Sequence, residues 1–285
     1  MTHLSLSFLF RPAARLFVGL CAVLLIGGCA TTQPTAETVQ DVAASPWAQA
    51  SQPEGTAPGT VPAWLHFTLP GKQANQYMAV KQDGRDAVLV RSDAAVSLLR
   101  QKLRVPPGDL AQIRFSWKVP QLIANANLAV RETSDSPVRI VLAFDGDRSR
   151  LSAKNAMLSE LSHTLTGEPM PYATLMYVWC NQCERESVIK NTRTDRIQKI
   201  AIESGGKNLN QWLDYERDIR ADFHKAFGEA PGALIGIAIM TDTDNTRANA
   251  SAWYGKVRLS RQQRNGNPSG ISAGVPGTNA VSSAK

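Results

Sequence analysis

The chain has 285 residues, 43% hydrophobic and 19% charged, with 31 basic and 24 acidic side chains, a net charge of +7 and four cysteines. Its length suffices for one substantial core. The mild positive charge comes with no dense Lys/Arg block and no RNA-binding aromatic pattern, which excludes nucleic acid as a partner.

The first element in chain order is a targeting segment. Arg11 and Arg15 precede an apolar run, Leu16–Ile26, that ends in Gly27, Gly28 and Cys29. A basic stretch, an apolar run too short for a comfortable transmembrane helix, small residues and a cysteine together form a bacterial lipoprotein signal peptide. We expect cleavage after residue 28, a lipid on Cys29 and work in the cell envelope, at a membrane that the acyl chains grip without crossing. Ala30 at the next position resembles an outer-membrane address, facing the periplasm. The alternatives are an uncleaved anchor helix or a non-lipidated secretory signal, with Cys29 an ordinary thiol. Removing residues 1–28 leaves 29 basic against 24 acidic residues, a balance that suits anionic envelope polymers or headgroups, or else a plain solvated surface.

Residues 29–60 are rich in Ala, Thr, Gln, Pro and Ser without apolar periodicity, and so are expected to be a disordered tether. Residues 262–285 have the same character. Between them, residues 61–261 alternate in the manner of half-buried strands. Candidate strands are Leu65–Leu69, Met78–Lys81, Ala87–Arg91, Ala111–Val119, Arg139–Asp145, Thr174–Trp179, Lys199–Glu203, Ala233–Met240 and Trp253–Leu259, with Asp83-Gly84 as a hairpin turn. Helical spacing is confined to two places. Ala153–Leu165 puts Leu158, Leu161 and Leu165 on one side, and Trp212–Phe227 aligns Ile219, Phe223 and Phe227 before a capping Gly228. The predicted fold is mainly β, an antiparallel two-sheet jelly-roll (galactose-binding-like) sandwich with one or two connecting helices.

Three groups of residues carry possible chemistry. Asp242, Asp244 and Asn245 follow an apolar strand, as Asp145 and Asp147 follow another, and closely spaced carboxylates and amides are the oxygen ligands calcium prefers; the alternative is that they bond their own turns. Trp117, Tyr177, Trp179 and Trp253, with Arg139, Glu203 and Asp242, have the composition of a sugar site, an aromatic face with hydrogen-bonding groups at its rim, although strand tryptophans also serve as core. Cys180 and Cys183 lack a second cysteine pair, and His3, His66, His163 and His224 show no ligand spacing, so outside the cytoplasm a short-loop disulfide is expected. No nucleophile elbow, H-E-x-x-H or phosphate-cradling loop is present.

Phe115–Pro120, Arg139–Gly146, Leu175–Trp179, Glu203–Gly205, Trp212, Arg217–Phe223, the run Ile237–Thr246 and Ala252-Trp-Tyr-Gly255 together resemble the bacterial domain-of-unknown-function family 3047, over about residues 60–260. The resemblance implies an envelope β-sandwich similar in form to carbohydrate-binding jelly rolls and supplies no established activity. From residues and resemblance together, the expected function is a lipid-anchored, non-catalytic module that binds a carbohydrate or other polar envelope ligand. A divergent glycan hydrolase and an assembly partner of another envelope protein are the alternatives.

Overall fold

A computed structural model describes residues 41–55 and 62–261. The signal peptide, Cys29 and the 262–285 tail lie outside the described residues. Thirteen strands among them form two sheets. The seven-stranded sheet has the order β1 (Leu65–Thr68), β4 (Val96–Val105), β11 (Leu234–Asp242), β6 (Ser136–Phe144), β7 (Ala173–Cys180), β9 (Ile197–Ser204), β8 (Val188–Lys190). In the six-stranded sheet β10 (Trp212–Asp218), β5 (Leu110–Lys118), β12 (Asn249–Tyr254), β3 (Arg85–Asp93) and β2 (Gln76–Gln82) follow one another, and β13 (Arg258–Arg261) also pairs with β5. The two sheets make a mainly β jelly-roll sandwich. One pair, β7 with β9, is parallel rather than antiparallel. Among the described residues no helix is long and apolar enough to cross a membrane.

Alternation decides which side chains fill the interior. Ile140, Leu142 and Phe144 of β6 face Ile113, Phe115 and Trp117 of β5 across a single main core. Between β2 and β3, Asp83 and Gly84 both take positive φ, 51° and 77°, the turn whose twist matches a hairpin.

Helices α2 (Ala153–Thr166) and α3 (Ile219–Phe227) connect strands of the sandwich. The segment expected to be helical from Trp212 onward is first the strand β10. Its polar residues Asp214 and Glu216 alternate with Leu213 and Tyr215, and the helix starts only where Asp218 caps the amides of Arg220 and Ala221. Ile219 and Phe223 then enter the core. On α2 the expected leucine stripe does not turn inward. Leu161, Leu165 and Met157 are exposed, and the buried residues are Asn155 and Ser159, because this helix docks by hydrogen bonds in which Asn155 donates to Asp195 and accepts from Thr194.

Residues 41–55, read from composition as tether, pack on the domain. Asp41 caps a 3-10 turn at Val42–Ala44, and Ser45 caps the five-residue helix α1 (Pro46–Ala50). Trp47 is 1% exposed. Its indole donates to Gly255 O at 2.9 Å and lies 4.9 Å from the ring of Trp64. Further along, Ser51 Oγ accepts from Val257 N, and Glu54 N donates to Leu259 O. One buried tryptophan, with no periodicity for a sequence pattern to detect, holds this strap.

Candidate functional site

Four of the expected aromatics separate into two environments. Trp117, Tyr177 and Trp179 are fully buried between the sheets, where Phe115 stacks on Tyr177 at 5.5 Å. They are core and present no face to a ligand, because each shares its strand face with the apolar residues that meet the opposite sheet. Trp253 instead lies half-buried on the outer face of the six-stranded sheet. Glu203 is also buried, accepting from Ser204 N, Asn208 Nδ2 and Tyr215 OH, which leaves it apart from Arg139 and Asp242.

Arg139 and Asp242 do come together. Both project from the outer face of the seven-stranded sheet, Arg139 from β6 and Asp242 from the adjacent end of β11, and Arg139 Nη2 donates to Asp242 Oδ2 at 2.7 Å and to Ser134 O at 2.6 Å. The register between these strands shifts between Met240 and Asp242. Pro137 sits at that irregularity, where a residue without an N–H loses no ladder bond. The threonine-rich run divides by the same alternation. Thr241 turns inward to Pro137 O, and Thr243 turns inward to Ser92 Oγ and the amide of Ala95, which leaves Asp242 and Asp244 on the outer side.

These groups line a cleft of about 330 Å³ roofed by segments around residues 69–72, 131–134, 158–170 and 191–194. Its floor is apolar, from Val96, Met176 and Met240, and no aromatic residue lines it. Arg139 is 3% exposed, Asp242 6% and Lys199 2%. Lys199 Nζ donates to Leu128 O and Ser134 Oγ. Burial lowers the Lys199 ammonium to about 7, with the neighbouring Arg139 charge acting in the same direction. At Asp242 burial raises the carboxyl to about 8 against the pull of Arg139, and hydrogen bonding to Asp244 adds to the rise. The ion pair and the raised value agree if the two oxygens differ. Oδ2 accepts from Arg139, while Oδ1 has no hydrogen-bond partner among the described residues. At Asp244 burial pulls upward, but its bonds to Asp242 and Lys72 outweigh it and hold that carboxyl below its ordinary value.

Asp135, in the loop before β6, completes an acidic group with Asp242 and Asp244, with one oxygen from each lying within 4.8 Å of the others. Nothing in the sequence around it marked it, since its role depends on a contact 110 residues away. The three carboxylates do not fit calcium. Asp135 accepts from the backbone and side chains of Asn245 and Thr246, Asp244 from Lys72 and Asn245, and Asp242 from Arg139. Two cations touch the cluster, and one oxygen is free, where calcium takes six to eight ligands. The second acidic end does not join it. β6 and β11 are antiparallel, so Asp145 and Asp147 lie at the opposite end, roughly 30 Å along the strand. There Asp145 pairs with Arg104 and Asp147 caps Ser149.

Cys180 and Cys183 are joined by a disulfide. Cys180 packs with Leu128, Val178 and Ala201 at the end of β7.

A family model described as "Protein of unknown function (DUF3047)" matches residues 62–258. Comparison with curated proteins gives no match. Among solved structures the chain is similar to one described as "CBM4 structure and function", at 9% identity over 70% of this chain and 87% of the other, with a TM-score of 0.32. It is similar also to the xyloglucanase domain of NopAA, a type three effector from Sinorhizobium fredii in complex with cellobiose, at 7% identity, 70% and 93% coverage and a TM-score of 0.38. A third likeness is SGBP-B from a complex xyloglucan utilization locus in Bacteroides uniformis, at 8% identity and a TM-score of 0.29, where the match covers 69% of this chain and about half, 49%, of the other.

Proposed function

The chain belongs to the DUF3047 family of proteins of unknown function, and from that premise we propose that it is a non-catalytic binding module of the bacterial cell envelope, lipid-anchored through Cys29, which takes an acidic glycan in the Arg139/Asp242 cleft. The observation that carries this reading is the state of two guanidiniums at the rim. Arg131 and Arg193 are exposed, line the cleft and have no carboxylate partner among the described residues, whereas Arg85, Arg100, Arg114 and Arg217 are each paired with an acid. Free guanidiniums at the rim suit a carboxylate or phosphate group. The apolar floor suits the body of the same ligand.

Titration of the full chain with hexagalacturonate, an acidic hexasaccharide, tests the site. Binding is expected to weaken steeply between about 50 and about 500 mM salt, and Arg131→Ala with Arg193→Ala to weaken it by about tenfold or more. Binding that ignores both the salt and the double substitution would overturn the assignment. For the anchor, Cys29→Ala is expected to move the folded domain from the membrane to the soluble periplasmic fraction; persistence in the membrane contradicts it.

A further inference from the structure

The outer face of the other sheet carries a second, differently equipped depression. The register of the six-stranded sheet places Met78, Leu89, Trp253, Lys118 and Trp212 in one transverse row, each opposite the next, and opposed residues share a face. Trp253 and Trp212 are both half-buried. One strand pair further along, beside this row, a groove of about 820 Å³ opens between the ends of β2, β3, β5 and β12.

Its polar lining differs from the rest of the face. Elsewhere on this face charged groups are neutralised across strands, Arg85 by Asp214 at 2.8 Å, Arg114 by Glu216 at 3.0 Å and Lys118 by Asp83 at 2.7 Å. In the groove the side chains of Gln73, Gln76, Arg91, Asp93, Gln121 and Asn249 have no protein partner among the described residues. Four are neutral amides, and the one guanidinium and the one carboxylate offset each other. The groove therefore offers many donors and acceptors with no net charge.

We infer that this groove, with Trp253 two residues along β12 from the lining Ser251 and on the same strand face, is a binding site for an uncharged oligosaccharide. Planar amides and the Arg91/Asp93 pair hydrogen-bond adjacent hydroxyls, and the half-exposed indole offers an apolar surface to the CH face of a sugar ring. Charge balance argues against an acidic polymer here. The inference is independent of the acidic-glycan cleft, with which the groove shares no lining residue, although Lys72 of the cleft and Gln73 of the groove are neighbours in the chain. Together the two sites would let one domain hold two different polymers at once.

The test is calorimetric titration of the full chain with cellohexaose and maltohexaose, β- and α-linked neutral hexasaccharides, followed by tryptophan fluorescence. One of them is expected to bind with an affinity unchanged between about 50 and about 500 mM salt. Trp253→Ala is expected to weaken that binding by about tenfold. Gln76→Ala and Asn249→Ala, at exposed positions where folding is not at stake, are each expected to weaken it about threefold or more, and Arg131→Ala to leave it unchanged. The inference falls if neither hexasaccharide binds, if binding is salt-sensitive, if the groove variants bind as wild type does, or if Arg131→Ala abolishes binding.

Discussion

The two outer faces of the sandwich hold arginine–aspartate contacts in opposite states of hydration. On the seven-stranded sheet Arg139 and Asp242 are covered by loops, 3% and 6% exposed, and their neighbour Lys199 is displaced from its ordinary protonation range. On the six-stranded sheet Arg85 and Asp214 meet at 2.8 Å in solvent. A contact distance thus says little about the weight of an ion pair. Water decides, because a desolvated charge depends on its partner while a hydrated one does not.

The sharpest way to break this comparison is to remove the arginine on each side. Arg139→Met should destabilise the domain by about 3 kcal/mol above pH 8, since it leaves a buried carboxylate unpaired. Arg85→Ala should change stability by about 0.5 kcal/mol or less. Equal losses in paired urea denaturation curves would show that burial does not separate the two faces.

A second expectation concerns Asp242 alone. In the folded chain it holds its proton up to about pH 8, against an ordinary value of 3.8. The folded state therefore binds more protons than the unfolded state across that window, and this group's contribution to stability falls as pH rises through it. Asp242→Asn cannot titrate and keeps the shape and hydrogen bonds of the neutral acid. The variant should gain on wild type steadily from pH 4 upward and level off above pH 8. A difference that is flat from pH 5 to 8 would show that the folded chain does not hold the Asp242 proton through that range.

The smallest effect in the cleft belongs to Lys199, with the opposite pH sense. Its folded-state value is about 7 and its ordinary value is 10.5, so the unfolded state binds more protons between them and wild-type stability rises with pH in that range. Lys199→Met should be more stable than wild type at pH 6, and this advantage should shrink steadily as pH rises from 7 to 10.5. Thermal melts at the two pH values check it. A loss of stability at pH 6 would mean that the bonds to Leu128 O and Ser134 Oγ outweigh desolvation.

Much of the fold was legible because strands such as Ala111–Val119 and Arg139–Asp145 bury one face only, and alternation records that. β4 was not legible. Val96, Leu98 and Leu99 meet packing on both faces, so Val96–Val105 shows no clean period of two. The helix assigned from Trp212 ran through the alternating Leu213, Tyr215 and their acidic neighbours because the stronger spacing of Ile219, Phe223 and Phe227 followed directly. At the candidate site the individual residues Arg139, Asp242 and Asp244 stood out, but their meeting depends on the β6–β11 register, and Asp135 and Lys199 acquire their roles only through contacts distant in sequence. The aromatics misled for a related reason. Composition marks Trp117 and Trp179 as suited to a sugar platform, and only the pairing of two sheets shows that their faces are already covered.

The strap at residues 41–55 also sets a leash length. With Asp41 already fixed to the domain, eleven residues, Ala30 to Gln40, separate it from Cys29. Whatever conformation they take, they span no more than about 40 Å. If Cys29 carries the lipid, that span is the longest reach the anchor allows Asp41, and a polymer must approach the membrane to be held.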